Sequence, residues 1–353
     1  MNQTVCLVTG GAGFIGSSLS AFLLEQFERV VVMDNLHPQV HRDPVWPPSL
    51  DSRVLRLHGD VTIAADWDRL LAYCKPDVVV HLAAETGTGQ SLTQSTRHAA
   101  VNVVGTAVML DAFVRHDVLP KRVVLASSRA VYGEGAWRDD SGVLSYPGQR
   151  GLAMLQNKQW DFEGKKAMPF FSEETAPHPT SVYGATKLAQ EQILTSWALA
   201  FGVEPIVLRL QNVYGPGQSL SNPYTGIVSL FCRLAKAGES IPVYEDGRII
   251  RDFVFIDDVV RALLSASVGA GARAGVVYDI GSGVGTSVAE LAHLIAQYYG
   301  APEPHITGQY RHGDVRHASC KIELSVQHLG WFPEVSLETG LAKLSSWIDK
   351  ESQ

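Results

Sequence analysis

Val5-Cys6-Leu7-Val8-Thr9 runs straight into Gly10-Gly11-Ala12-Gly13-Phe14-Ile15-Gly16, and this stretch decides the fold. Five apolar, β-prone residues read as a strand covered on both faces. Glycines at 10, 13 and 16 then allow a tight turn, a close backbone approach to a pyrophosphate and close helix packing. The helix that follows presents unpaired N–H groups to the anion. Strand, glycine turn and helix in that order predict a dinucleotide site at the first crossover of a parallel sheet.

The rhythm continues outward from this point. Short runs at Arg29 to Asp34, Val54 to His58, Val78 to Leu82 and Arg122 to Ser127 read as further strands, with helical patterns at about 14 to 27, 64 to 75 and 97 to 116 between them. Near-continuous apolar runs such as Val78-Val79-Val80 suit strands with helices on both faces. The expectation is an α/β chain with a Rossmann-type, doubly wound parallel sheet over residues 1–210, continued by a strand at Pro205 to Leu210. Residues 211–353 read mainly as a smaller C-terminal substrate-binding lobe, with helices near 226–237, 257–267, 287–299 and 337–349 and some return of chain to the core. Between them the pattern lapses at 134–171, apart from a short helical stretch at Leu152 to Trp160. A segment of that length between two motifs reads as a lid or substrate-flanking insertion.

Composition narrows the classes. A 46% hydrophobic content over 353 residues supplies a substantial core, and no run reaches the length of a membrane span. Met1 leads within a few residues into the first strand, without a signal-peptide pattern, so a cytoplasmic location is expected. Cys6, Cys74, Cys232 and Cys320 show neither disulfide-framework nor metal spacing and read as buried thiols. A formal charge of −7 without a basic block argues against nucleic acid.

Asp34 and Asn35 close the second strand, near the roughly 20-residue offset at which an acid meets the adenosine ribose. A carboxylate there repels a 2′-phosphate, which favours NAD over NADP. The alternative for Asp34 is a turn aspartate. Asp60-Val61 follows the third strand and either frames adenine or caps a helix. Leu82-Ala83-Ala84 is small enough to let backbone pass close to the cofactor, while His81 reads as a packed histidine.

Tyr183 and Lys187 stand four residues apart, on one face of a helix that Thr180-Ser181 can cap. A phenol with a pKa near 10 is a poor base at neutral pH. An ammonium about 4 Å away contributes on the order of 4 kcal/mol toward the phenolate at an effective dielectric of roughly 20. Lysine is therefore expected to tune this tyrosine into a general base. Ser127-Ser128, at the end of the fifth strand, adds a hydroxyl on the cofactor side.

The motifs TGGAGFIG (9–16), HLAA (81–84), SSRAVYG (127–133), YGATK (183–187), RLQNVYGPG (209–217) and RDFVFIDDV (251–259) resemble the extended short-chain dehydrogenase/reductases, in particular the nucleotide-sugar epimerase/dehydratase group. The resemblance spans about 4 to 345, without the insertion. It implies bound NAD, a nucleoside-diphosphate sugar as partner and a homodimer formed through the helices near 97–116 and 181–201. By the same resemblance Ser128 matches the hydroxyl that holds the reacting sugar oxygen, Tyr183 the base, and Lys187 the grip on the nicotinamide ribose. Asn102 matches a helix asparagine near the cofactor. Asn212, Arg251 and Arg311 match holders of the diphosphate; taken alone, either arginine reads as a surface residue.

Departures from the pattern bear on the reaction. Sugar-nucleotide 4,6-dehydratases place an Asp-Glu pair after the catalytic hydroxyl residue, and this chain has Arg129-Ala130, with Arg129 facing the substrate side. Alanine moves no proton, so dehydration is disfavoured. Epimerisation needs only the common machinery: transient C4 oxidation, rotation of the keto sugar and re-reduction. The glycine-rich Glu85-Thr86-Gly87-Thr88-Gly89-Gln90 run reads as sugar-pocket lining or as ordinary loop. With it, the chain looks most like bacterial enzymes acting on dTDP-6-deoxysugars such as dTDP-L-rhamnose. UDP-hexose 4-epimerisation, a 4-ketoreductase or dehydrogenase reaction, and a non-catalytic NAD-sensing regulator remain as alternatives.

Overall fold

The computed structural model describes residues 4–41, 43–220 and 226–351. Seven parallel strands form the central sheet: β1 Val5–Thr9, β2 Arg29–Asp34, β3 Leu55–His58, β4 Val78–His81, β5 Arg122–Ser128, β6 Glu204–Leu210 and β7 Val277–Ile280. Their order across the sheet is β7-β6-β5-β4-β1-β2-β3. From β1 the strands are added outward to one side through β2 and β3 and then to the other from β4 on, so a crevice opens above the C-terminal ends of β1 and β4, where ligands bind in folds of this kind.

Alternation along each strand sorts the core into two layers. Cys6 and Val8 of β1, with Val78 and Val80 of β4, pack beneath the Phe14–Leu24 and Ile256–Val268 helices. Leu7, Val31 and Val79 face the other way, against Trp67, Phe113 and Leu194. Each such side chain, taken out of water, contributes roughly 1.5–3 kcal/mol. Covering on both faces explains why these strands read as unbroken apolar runs.

The helix expected over 97–116 is interrupted. Ser95–Ala99 and Gly105–Arg115 are α-helical, and the turn between them, Ala100–Val104, is a π-helix. π-turns carry an extra residue and redirect a side chain, often at functional sites. Here the redirected residue is Asn102.

Beyond residue 211 the chain divides its loyalties. Asn212–Tyr214, Ile250–Phe255, Gly285–Ser287 and His317–Ala318 pair into a small sheet of the second lobe. Val277–Ile280 meanwhile returns to extend the central sheet beside β6. The 134–171 segment is folded: Trp137–Asp139 pairs antiparallel with Leu144–Ser145 and Lys165–Ala167, and Leu152–Gln156 is a short helix. Trp137, Leu155 and Trp160 are buried. Among the described residues no helix is long and apolar enough to cross a membrane.

Candidate active site

The crevice is built on close backbone approach. Gly10 has φ +66°, and a Cβ there would stand 2.7 Å from the Ala83 backbone, so glycine lets the Leu82-Ala83-Ala84 strand end seat against the turn. A Cβ on Gly16 would meet Gly11 Cα at 2.5 Å, which fixes the helix against the loop. Phe14 and Ile15 pack their side chains on the core, leaving the start of their helix to present backbone. Gly10, Gly13, Asp34, Asn35, Asp60, Val61 and Leu82 through Thr86 line one continuous cavity.

Asp34 is bound into this cradle. One carboxylate oxygen accepts from Ala12 N at 3.0 Å and the other from Leu36 N at 2.8 Å. Asn35 donates to Asp60 at 2.9 Å. Burial works against the Asp60 charge, but hydrogen bonds from Thr62 and Asn35 hold its carboxyl below the usual range. A glycine turn at a helix start, a carboxylate at the second strand end and small residues at the fourth fit NAD. Asp34→Ala removes a charge-assisted partner and a brace of the glycine loop at once. We expect roughly tenfold to hundredfold weaker NAD binding, read by calorimetric titration, with the fold retained.

Asn102, matched above to a helix asparagine near the cofactor, is committed to protein partners. It is fully buried, its Oδ1 accepts from Glu85 N at 2.8 Å, and its Nδ2 donates to Glu85 O and Thr186 Oγ1, both at 3.0 Å. With its amide spent on these contacts, Asn102 ties the loop after β4 to the Tyr183 helix and positions both. Glu85 in turn pairs with Arg97 at 2.7 Å, and Gln90 forms a reciprocal amide pair with Gln39 at 2.8 Å. These two side chains brace the loop; Thr86 gives its carbonyl to His98 at 3.3 Å.

Ser181 caps the Val182–Phe201 helix, accepting from Gly184 N at 3.0 Å. A Cβ on Gly184 would strike Ala130 O at 2.3 Å, so glycine there lets the helix press onto the turn after β5. That contact sets the start of the Tyr183 helix against the turn that carries Ser128, whose hydroxyl works to lower the phenol's pKa. Ser128 also accepts from Ala130 N at 3.1 Å. Tyr183 and Ser128 thus sit on two elements packed directly against each other.

Lys187 departs from expectation. Burial lowers its ammonium to about 7, partly countered by Glu191, and its amine donates to Gln190. Gln190 Nε2 donates to Thr106 at 2.8 Å, Thr106 meets His81 Nε2 at 3.0 Å, and His81 Nδ1 meets Thr9 at 2.6 Å. Burial, then the Lys187 charge, push His81 down to about 3, so it is a neutral, packed link in this chain. The expected tuning of Tyr183 by Lys187 is not what the structure shows: burial raises the phenol above its ordinary value, and the opposing influences are the Ser128 hydrogen bond and the Arg129 charge. Desolvation exceeds the pair interaction that spacing alone suggests.

Arg129 Nε donates to Asn212 Oδ1 at 2.8 Å. Arg251 is buried and reaches Asp314 at 2.5 Å. Burial, then the neighbouring Arg251, push Arg129 down to about 9. Two guanidinium groups thus share one region with Asp314, a setting suited to a dianion. Arg311 is exposed and stacked over the Tyr244 ring at 5.1 Å, its carbonyl accepting from Asp314 N at 3.3 Å.

Residues 6–281 match the family described as the NAD dependent epimerase/dehydratase family. The chain belongs to that family. It is 54% identical over 345 residues to a dTDP-L-rhamnose 4-epimerase of Burkholderia thailandensis, covering 98% of this chain and 95% of the relative. A crystal structure of the Thermotoga maritima UDP-glucose 4-epimerase with UDP-glucose superimposes with TM-score 0.81 at 31% identity, covering 99% of this chain and 100% of the other. The Thermus thermophilus UDP-glucose 4-epimerase in complex with NAD gives 0.77 at 26% identity, covering 98% and 99%.

Within this member of the family, one set of residues has no local sequence signal. Arg150, from the 134–171 segment, is 3% exposed and forms a two-pronged pair with Glu245 at 2.9 and 2.8 Å. It also reaches Glu134 at 3.2 Å and donates to Asp314 O at 2.9 Å. Arg316 adds bonds to Asp161, Glu245 and Asp246. These buried ion pairs tie the segment to the chain around Glu245 and Asp314. Only a pairing of positions distant in sequence could have revealed them.

Proposed function

We propose that the protein is an NAD-dependent nucleotide-sugar 4-epimerase whose substrate is a dTDP-6-deoxyhexose, dTDP-L-rhamnose in the first place. The observation that carries this is the packing of the Tyr183 helix, through Gly184, onto the Ser128-Arg129-Ala130 turn after β5, with Arg129-Ala130 standing where a second acid and base would be. The 54% identity to the Burkholderia enzyme supports the choice of sugar.

NAD, when bound, supplies the acceptor and donor of hydride. Tyr183 takes the proton of the sugar hydroxyl in the forward half and returns it in the second half, so no net oxidation remains. Ser128 holds the reacting oxygen against the phenol. Arg251, kept in place by Asp314, and Asn212 anchor the diphosphate end while the keto sugar turns. Lys187, fixed through Gln190, stands one helical turn beyond Tyr183 for the nicotinamide ribose. Residues 1–210 serve as the NAD domain and 211–353 mainly as the sugar-nucleotide lobe. A cytoplasmic homodimer working in carbohydrate biosynthesis completes the proposal. Exposed Val104 and Val114 on one helical segment, and Leu199 and Phe201 on the Tyr183 helix, support pairing through these helices.

The test is incubation of the NAD-loaded protein with dTDP-, UDP-, GDP- and CDP-sugars without added reductant, followed by NMR of the sugar. Interconversion of dTDP-L-rhamnose and its C4 epimer is expected. Turnover of UDP-hexoses alone would reassign the substrate, and a demand for stoichiometric reductant would make the protein a ketoreductase.

A further inference from the structure

The cavity that takes in Gly10, Asp34 and Asp60 is lined from two directions. His37, Gln39 and His41 come from the chain after β2, and Ala84, Thr86 and Arg97 from the chain after β4. Because β2 and β4 flank β1 in the sheet, the two groups stand on opposite sides of the glycine turn. Hydrogen bonds join them directly. Gln39 and Gln90 form a reciprocal pair, each Nε2 donating to the other's Oε1 at 2.8 Å. Arg97 donates to His37 Nδ1 at 3.4 Å, and that nitrogen also accepts from Gln39 N at 3.1 Å.

The two sides are not equally fixed. Gln90 is 2% exposed and also donates to Gln94 Oε1 at 3.0 Å, while its neighbour Ser91 accepts from Tyr183 N at 3.1 Å. Arg97 is held in turn by Glu85 at 2.7 Å. The side after β4 is thus anchored on the Tyr183 helix. On the side after β2 the stem is Leu36, whose N–H goes to Asp34 at 2.8 Å and whose φ is +50°. That left-handed conformation is costly for a residue with a side chain, and it persists where surrounding contacts impose it. Beyond the stem, Val40 N and His41 N both donate to His37 O at 2.9 Å, closing a tight turn in which Pro38 and Val40 are exposed. A compact turn on a strained stem is therefore held to the anchored side by the Gln39 and His37 bonds.

We propose that the His37–His41 turn is a clasp across the adenosine end of the dinucleotide site, fastened by the Gln39–Gln90 pair and the Arg97–His37 bond, and that it keeps one cofactor molecule resident through turnover. The purpose rests on the proposed epimerisation. There the hydride taken from the sugar in one half-reaction is given back in the other, so escape of the reduced cofactor between the halves would strand the keto sugar. Gln39, Gln90, His37 and Arg97 act here on each other, and on the cofactor only by opposing separation of the two sides.

Cofactor exchange on the full-length protein tests it without any sugar, with NADH as the fluorescent probe. Release is followed by chasing bound NADH with excess NAD, and capture by stopped-flow mixing. Gln39→Ala and Gln90→Ala are each expected to speed release roughly tenfold, the scale of losing a pair of amide hydrogen bonds. Capture should quicken as well, because a bridge between protein groups opposes passage in both directions; the dissociation constant then moves less than either rate. The double variant should release no faster than the single ones, since each removes the same pair. Unchanged rates in Gln39→Ala with an unchanged circular dichroism spectrum overturn the clasp. So do additive effects in the double variant, or faster release with unmoved capture, which would make Gln39 a direct cofactor contact. If the wild type epimerises no sugar nucleotide, the proposed function fails while the exchange rates still decide the clasp.

Discussion

Tyr183→Phe is expected to lower kcat by roughly a thousandfold, the scale of losing a positioned general base, with little change in NAD affinity or thermal stability. The stability half follows from what phenylalanine retains. The ring keeps its edge contact with His98, and the backbone N–H keeps Ser91 Oγ at 3.1 Å. What disappears is the phenolic oxygen, the proposed base. The pH dependence distinguishes base loss from misplacement. In the wild type burial raises the phenol, so its basic form is scarce at neutral pH and the rate should climb as pH rises toward its pKa. In Tyr183→Phe the residual rate should lose that climb. Steady-state turnover over pH 6 to 10, with NAD retention by absorbance, checks both; near-wild-type turnover would remove Tyr183 from the mechanism.

Residues whose role is written in local pattern were legible before the fold was known. Val78–Val80 and Val123–Leu125 are strands because burial on both faces demands continuous apolar side chains, and the structure places them in the central sheet. Gly10 and Gly16 were equally readable, since a Cβ at either would meet backbone. Ser181 as helix cap needed only its position before Val182. The illegible features depend on tertiary surroundings. Nothing in Ala100–Val104 signals a π-turn, yet Asn102 lies in that turn and braces Glu85. Spacing put Lys187 on the same face as Tyr183 but could not show that Gln190 would claim its amine. It also could not show that burial would pull the ammonium to about 7. Arg150 was hidden in a stretch without periodicity, because its partners Glu245 and Asp314 come from the other lobe.

That last residue carries the second large effect. Removing one partner of a buried ion pair leaves the remaining charge without compensation, at a cost of about 3–5 kcal/mol. Arg150→Ala would leave buried Glu245 with Arg316 as its remaining cation and buried Glu134 with the Arg316 N–H alone, and withdraw a donor from the Asp314 carbonyl. Burial already raises Glu134 to about 7, with Arg150 the leading counter-influence, so its carboxyl would rise further and take up a proton near neutral pH. A melting temperature lower by on the order of 10 °C is expected. The kinetic consequence runs through Asp314, which holds Arg251 at 2.5 Å. If Arg251 holds the diphosphate as proposed, loosening Asp314 weakens that hold while the Tyr183 helix keeps its place, so KM should rise more than kcat falls. Arg138→Ala is the matched comparison: Arg138 lies in the same segment but is exposed, donating to Gly142 O at 3.1 Å, and its loss should change neither quantity. Equal effects of the two substitutions, or a fall in kcat at unchanged KM for Arg150→Ala, would show that the segment does not anchor the diphosphate side of the site.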